Sequence, residues 1–174
     1  MREGLARTRA SLSGLRDLRW VLEGQLHVTL RFFADLPSER VSSVAAAAAA
    51  ACTGRPAFDL AVRGLGRYPS HGPLRVLWAG LGEGREELGA LAEALAKELE
   101  ARGFPREERP FAAHLTLARS RGPAGSREAA RAVAAETPAA GAFGPQRVDA
   151  LGLYRSELGS GPPVHTPIGR FVLG

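Results

Sequence analysis

A chain of 174 residues, 45% of them apolar, is long enough to bury one core or two small ones and has the composition of a globular protein. Its net charge of +5 favours an anionic partner, while the absence of any dense basic run argues against a long nucleic-acid track. No apolar run approaches the roughly 18 residues of a membrane helix, Met-Arg-Glu-Gly at the start lacks the apolar core of a signal peptide, and the single Cys52 cannot close an intramolecular disulfide, so a cytoplasmic protein is expected.

Residues 2 to about 18 carry Leu5, Leu12, Leu15 and Leu18 among Arg, Glu and Ser, the spacing of an amphipathic helix. Leu26 to Phe32 then alternates with period two, Val28, Leu30 and Phe32 against His27 and Thr29, which predicts a strand. Asp35-Leu-Pro-Ser-Glu opens the next helix, with Ser38 as candidate N-cap. The seven alanines behind Val44 read as helix-forming filler with little core value, and Cys52 after them as a small buried apolar residue. Phe58 to Arg63 alternates as a strand, and Gly64 to Pro73 reads as a loop carrying Tyr68 and His71. Arg75 to Ala79 is a strand with Trp78 assigned to the core.

Gly80-Leu-Gly-Glu-Gly, ahead of a helix over Glu86 to Arg102, invites a dinucleotide-binding reading, but the six-residue fingerprint is incomplete and the stretch reads as a turn. Phe104 to Pro110 leads into a second alternating strand, Phe111 to Arg119. A loop over 120–127, a helix over Arg127 to Glu136, and a terminal hairpin of Val148 to Glu157 and His165 to Leu173, joined by Leu158 to Pro163, complete the chain. Hairpins mixed with helices, without strict βαβ alternation, give an α+β class.

Both alternating strands contain His-x-Thr-Leu, at His27 and at His114. On a strand, residues i and i+2 share a face roughly 6.5 Å apart, so each copy presents an imidazole beside a hydroxyl. One copy is most simply a structural histidine. Two copies, half a chain length apart, predict two related lobes each donating a strand to a shared site. No His, Cys or carboxylate cluster has metal-ligand spacing, and His71 and His165 lack the His-x-Thr context and read as surface residues.

With these paired motifs stand Gly-Leu-Gly-Arg-Tyr-Pro at 64–69, Arg-Val-Leu-Trp-Ala-Gly at 75–80, Arg-Pro-Phe-Ala-Ala-His-Leu-Thr-Leu-Ala-Arg at 109–119 around the second motif, and Leu-Tyr-Arg-Ser-Glu-Leu at 153–158. On them the chain resembles the two-histidine phosphoesterases, and within those the bacterial and archaeal RNA 2′,3′-cyclic phosphodiesterases, historically called 2′-5′ RNA ligases. The resemblance implies one bilobal domain over 1–174, with two antiparallel sheets flanking a central cleft and helices outside. The family's first strand and its Leu-Pro turn have no counterpart ahead of the first helix, so one sheet is expected to lack a strand and expose an unpaired neighbour.

The implied activity is hydrolysis of 2′,3′-cyclic phosphate on RNA ends or nucleotides to a 2′-phosphate, by a monomer without cofactor or metal. Such a reaction needs a base for water, an acid for the departing ribose oxygen and donors for the phosphate oxygens. By resemblance His27 is the proton donor, His114 the proton acceptor and Arg119 a phosphate contact; the Thr29 and Thr116 hydroxyls are candidate donors to the non-bridging oxygens. Arg31, Tyr68 and Tyr154 are further candidate substrate contacts, Tyr68 as a stacking face for a base. Alternatives are 2′-5′ ligation by the reverse reaction, action on small cyclic nucleotides, and a non-catalytic module that binds RNA ends.

Overall fold

The computed structural model describes residues 2–122, 124–136, 142–157 and 163–174. In chain order the elements are α1 (Arg2–Ser11), β1 (Leu18–Trp20), α2 (Val41–Cys52), β2 (Phe58–Tyr68), β3 (Val76–Leu81), α3 (Arg85–Glu100), β4 (Leu115–Ser120), α4 (Arg127–Glu136), β5 (Ala142–Val148), β6 (Ala150–Glu157) and β7 (Val164–Val172), with short 3-10 turns at Glu23–Gln25 and Ser38–Arg40. The class is α+β, as the mixture of hairpins and helices predicts. The chain passes several times between two compact units, one of Met1–Thr29, Asp59–Arg85 and Ala113–Gln146, the other of Leu30–Phe58, Glu86–Ala112 and Arg147–Gly174.

The first unit is built on a five-stranded sheet in the order β1-β4-β3-β2-β5. The β1–β4, β4–β3 and β3–β2 pairs are antiparallel. Leu18, Val62, Leu65, Leu77, Leu115 and Leu117 form a core with Leu12, after α1, and with Ala129, Ala130 and Val133 of α4. Leu12, Leu74, Leu77 and Leu117 are wholly buried, and each such side chain stabilises the fold by about 1.5–3 kcal/mol.

Three expectations change here. The first helix stops at Ser11, and Leu18 is delivered to the core from β1, an edge strand too short for its alternation to stand out. Residues Leu26 to Thr29 join no ladder among the described residues. Their alternation is nevertheless real, because Leu26 and Val28 pack on the core and leave His27 and Thr29 exposed. The glycine stretch after Arg63 is strand rather than loop. Gly64, at φ +71°, takes up a bulge between Arg63 and Leu65, and β2 continues through Gly66 to Tyr68.

The second unit pairs β6 and β7 in an antiparallel two-stranded sheet on which α2 packs. The alanine run is not filler. Ala47, Ala48 and Ala51 are buried in a cluster with Leu95 and Leu99 of α3 and Phe104, beside Leu151, Leu153 and Phe171 of the sheet. Methyl-sized side chains let this helix lie close to both neighbours. Cys52 is buried as expected. Ser38 does not cap α2: it opens the 3-10 turn, its hydroxyl reaches Glu39 Oε2 at 3.4 Å, and Arg40 occupies the cap position. The linker expected over Leu158 to Pro163 falls, except for Pro163, outside the described residues.

Candidate functional site

The second His-x-Thr sits where the strand reading predicts, with His114 one residue ahead of β4 and Thr116 within it. Leu115 and Leu117 are buried, while His114 and Thr116 are half-buried on the other side of the sheet. Thr116 lies opposite Trp78 of β3, and Trp78 lies opposite Gly66 of β2, so these three positions share one face.

On that face three rings meet. The Tyr68 and His114 rings are 5.4 Å apart and nearly perpendicular, at 81°; Trp78 and His114 are 6.1 Å apart at 60°; Tyr68 and Trp78 are 5.4 Å apart. Edge-to-face contacts of this kind fix ring orientation and contribute about 0.5–1.5 kcal/mol each. Trp78 is therefore a neighbour of the candidate site rather than a core residue, and its alternation carried the signal: Leu77 and Ala79 on either side of it are wholly buried. Tyr68 is the last residue of β2, held by a strand. The indole Nε1 is buried and meets no hydrogen-bond acceptor among the described residues.

A bulge in β4 decides where Arg119 goes. Leu77 pairs with Ala118 and Trp78 with Thr116, so one step on β3 spans two on β4 and Leu117 is the extra residue. Regular alternation would put Arg119 on the core side with Leu115 and Leu117. The bulge instead returns Ala118, wholly buried, to the core and turns Arg119 outward to the side of Thr116.

In the first copy, His27 and Thr29 are exposed, and they fall in the same compact unit as His114. His27 Nδ1 lies 2.7 Å from the Gln25 carbonyl oxygen. A carbonyl can only accept, so Nδ1 is the donor in this contact.

The remaining candidates lie in the second unit. Arg31 donates from Nη2 to the Pro105 carbonyl at 2.8 Å, pairs through Nη1 with Glu107 at 3.2 Å, and lies 5.3 Å from the Phe33 ring, so its guanidinium is engaged there. Tyr154, on β6, is exposed with its ring over Gly152. His71 is exposed, and His165 accepts or donates at Nδ1 to the Ser156 hydroxyl at 2.9 Å. Among the described residues no group of three or more His, Cys, Asp or Glu is placed to hold a metal ion, and no helix is long and apolar enough to cross a membrane.

Charge separates the units. The first holds thirteen arginines against seven carboxylate residues, the second ten basic against eleven acidic, so the whole positive excess lies on the unit that carries His27 and His114. That places the attraction for an anion on one unit.

An α+β chain with paired His-x-Thr motifs in this setting is a two-histidine phosphoesterase by class. More particularly, it belongs to the 2′-5′ RNA ligase superfamily, whose family model matches residues 6–159. It is 29% identical over 174 residues to an RNA 2′,3′-cyclic phosphodiesterase of Methanothermobacter thermautotrophicus, covering 99% of this chain and 92% of the relative. A second relative of the same name, from Thermus thermophilus, is 31% identical over 178 residues, covering 99% and 84%. Among solved structures, a Thermus thermophilus protein superimposes with a TM-score of 0.78 at 30% identity over 99% of this chain and 91% of that one. Escherichia coli LigT complexed with 3′-AMP follows at 0.74 and 25%, over 99% and 90%.

Proposed function

We propose that this protein is an RNA 2′,3′-cyclic phosphodiesterase that opens the cyclic ester to a 2′-phosphate by metal-free acid–base catalysis. The observation that carries it is the face shared by His114 and Thr116, in the same unit as the outward-pointing His27 and Thr29. His27 acts as proton donor to the departing ribose oxygen, its Nδ1 committed to the Gln25 carbonyl so that Nε2 delivers the proton. His114 accepts a proton from the attacking water and is oriented by the Tyr68 and Trp78 rings. Thr29, Thr116 and Arg119 hold the phosphate oxygens while charge builds on them. Both motifs come from one chain, so a monomer suffices.

The relatives' names and the positive charge of the histidine-bearing unit support this reading. The test is to incubate the purified protein, in a chelating buffer, with an oligoribonucleotide ending in 2′,3′-cyclic phosphate and to locate the product phosphate by phosphorus NMR. A 2′-phosphate is expected. A 3′-phosphate, or activity that appears only after a divalent ion is added, would overturn the proposal in its regiochemistry or in its mechanism.

A further inference from the structure

One cross-strand pair in the first unit is unfavourable as it stands. Arg19 of β1 lies directly opposite Arg119 of β4, and residues so paired have Cβ atoms about 4.5–5.5 Å apart, where like charges destabilise a sheet. Both side chains are exposed, and no carboxylate among the described residues pairs with either. The acidic residue nearest to Arg19 in sequence, Asp17, accepts the Ser126 hydroxyl at 2.9 Å. On β1 the neighbours of Arg19 point to the other side: Leu18 is buried, and Trp20 packs on the core. Arg19 therefore shares the outer face with Arg119, Thr116 and His114.

We infer that Arg19 binds a second phosphate, the phosphodiester that joins the terminal nucleotide to the one before it, so that the site takes the end of an RNA chain in preference to a cyclic mononucleotide. This rests on the proposed function above. A planar guanidinium suits phosphate oxygens, and with Arg119 on the cyclic phosphate a further anion on Arg19 offsets the like charge across the pair. Arg119 lies three residues along β4 from Thr116, roughly 10 Å at about 3.3 Å per residue and somewhat less across the bulge. A ligand with one phosphate, held at His114 and Thr116, leaves the outer arginine of such a row with no anion. A polynucleotide supplies one. The excess of arginine on this unit is in keeping with a ligand that carries several negative charges.

The experiment compares kcat/KM for a 2′,3′-cyclic nucleoside monophosphate and for a short oligoribonucleotide with the same cyclic end, in the wild-type chain, Arg19→Gln and Arg19→Lys. Binding of a fluorescent oligonucleotide bearing the product 2′-phosphate is followed in parallel across a salt series. The expected result is a fall of about ten-fold in the oligonucleotide-to-mononucleotide ratio for Arg19→Gln, carried by KM, with the salt slope of binding shallower by roughly 0.7. Arg19→Lys should recover part of the ratio, since the charge remains and the fork is lost. An unchanged ratio together with an unchanged salt slope would overturn the inference, as would equal losses on both substrates. A wild-type chain that hydrolyses neither substrate defeats the proposed function, and the binding series then decides the inference separately.

Discussion

The indole of Trp78 lies against the Cα of Gly66, so closely that a Cβ at residue 66 would stand 2.1 Å from the ring. The absence of a side chain there lets Trp78 reach His114, and a glycine inside a strand is otherwise a weakness. Gly66→Ala should push the indole off β2, withdraw it from His114 and lower kcat/KM on a cyclic-phosphate substrate by about 10-fold or more. Overpacking should destabilise the fold by about 1–3 kcal/mol. Activity measured well below the melting transition separates the two effects; full activity in the folded variant would mean that His114 does not depend on Trp78.

The alanine helix offers a test inside a single element. Ala47 is wholly buried, whereas Ala46 beside it is exposed. Ala47→Leu forces extra volume between α2 and its neighbours and should cost about 1–3 kcal/mol, while Ala46→Leu should stay within about 0.5 kcal/mol. Urea denaturation of both variants reads the difference. Equal, small effects would show that α2 does not lie close against its neighbours.

Burial pushes the Cys52 thiol above its ordinary pKa, the dominant cause being loss of solvation for the thiolate. The folded state therefore holds the neutral thiol to higher pH than the unfolded state does. The resulting stability is complete below the unfolded thiol's pKa of about 8.5 and is lost as pH rises through the higher folded value. Compared with Cys52→Ala, the wild-type chain should lose unfolding free energy more steeply above about pH 8.5. Parallel pH dependences would contradict this, and so would rapid alkylation of Cys52 in the native protein.

The parts of this molecule legible in its sequence are those in which residue type and periodicity agree. The second His-x-Thr, α3 with its buried Leu88, Leu91, Leu95 and Leu99, and the terminal hairpin are of this kind. What escapes depends on register. The outward turn of Arg119 requires the bulge at Leu117, which no local pattern announces. The alternation of Trp78 with Leu77 and Ala79 sets its face, but the room for its ring over Gly66 is a relationship between strands. Arg19 gains meaning only from pairing with Arg119, a hundred residues away. The alanines of α2 mislead because small side chains signal helix propensity locally and close packing only in context.

The roles of the two histidines can be separated by leaving group. If His27 donates a proton and His114 accepts one, the pH dependence of kcat/KM should be bell-shaped, with limbs that belong to the pair and not to either residue. His27→Ala and His114→Ala should each lower kcat/KM by about 10²–10⁴, and the double variant by little more than either alone, because groups that act as a unit are not additive. The acid matters in proportion to how poor the leaving group is, whereas the base is required whatever departs. A phosphodiester analogue with an activated phenolate leaving group should therefore largely rescue His27→Ala and leave His114→Ala impaired. Gln25, which fixes the His27 tautomer through its backbone carbonyl alone, should tolerate Gln25→Ala with little change, since the accepting oxygen remains. Equal rescue of both histidine variants, or rescue of His114→Ala alone, would reverse or remove the assignment of His27 as the acid.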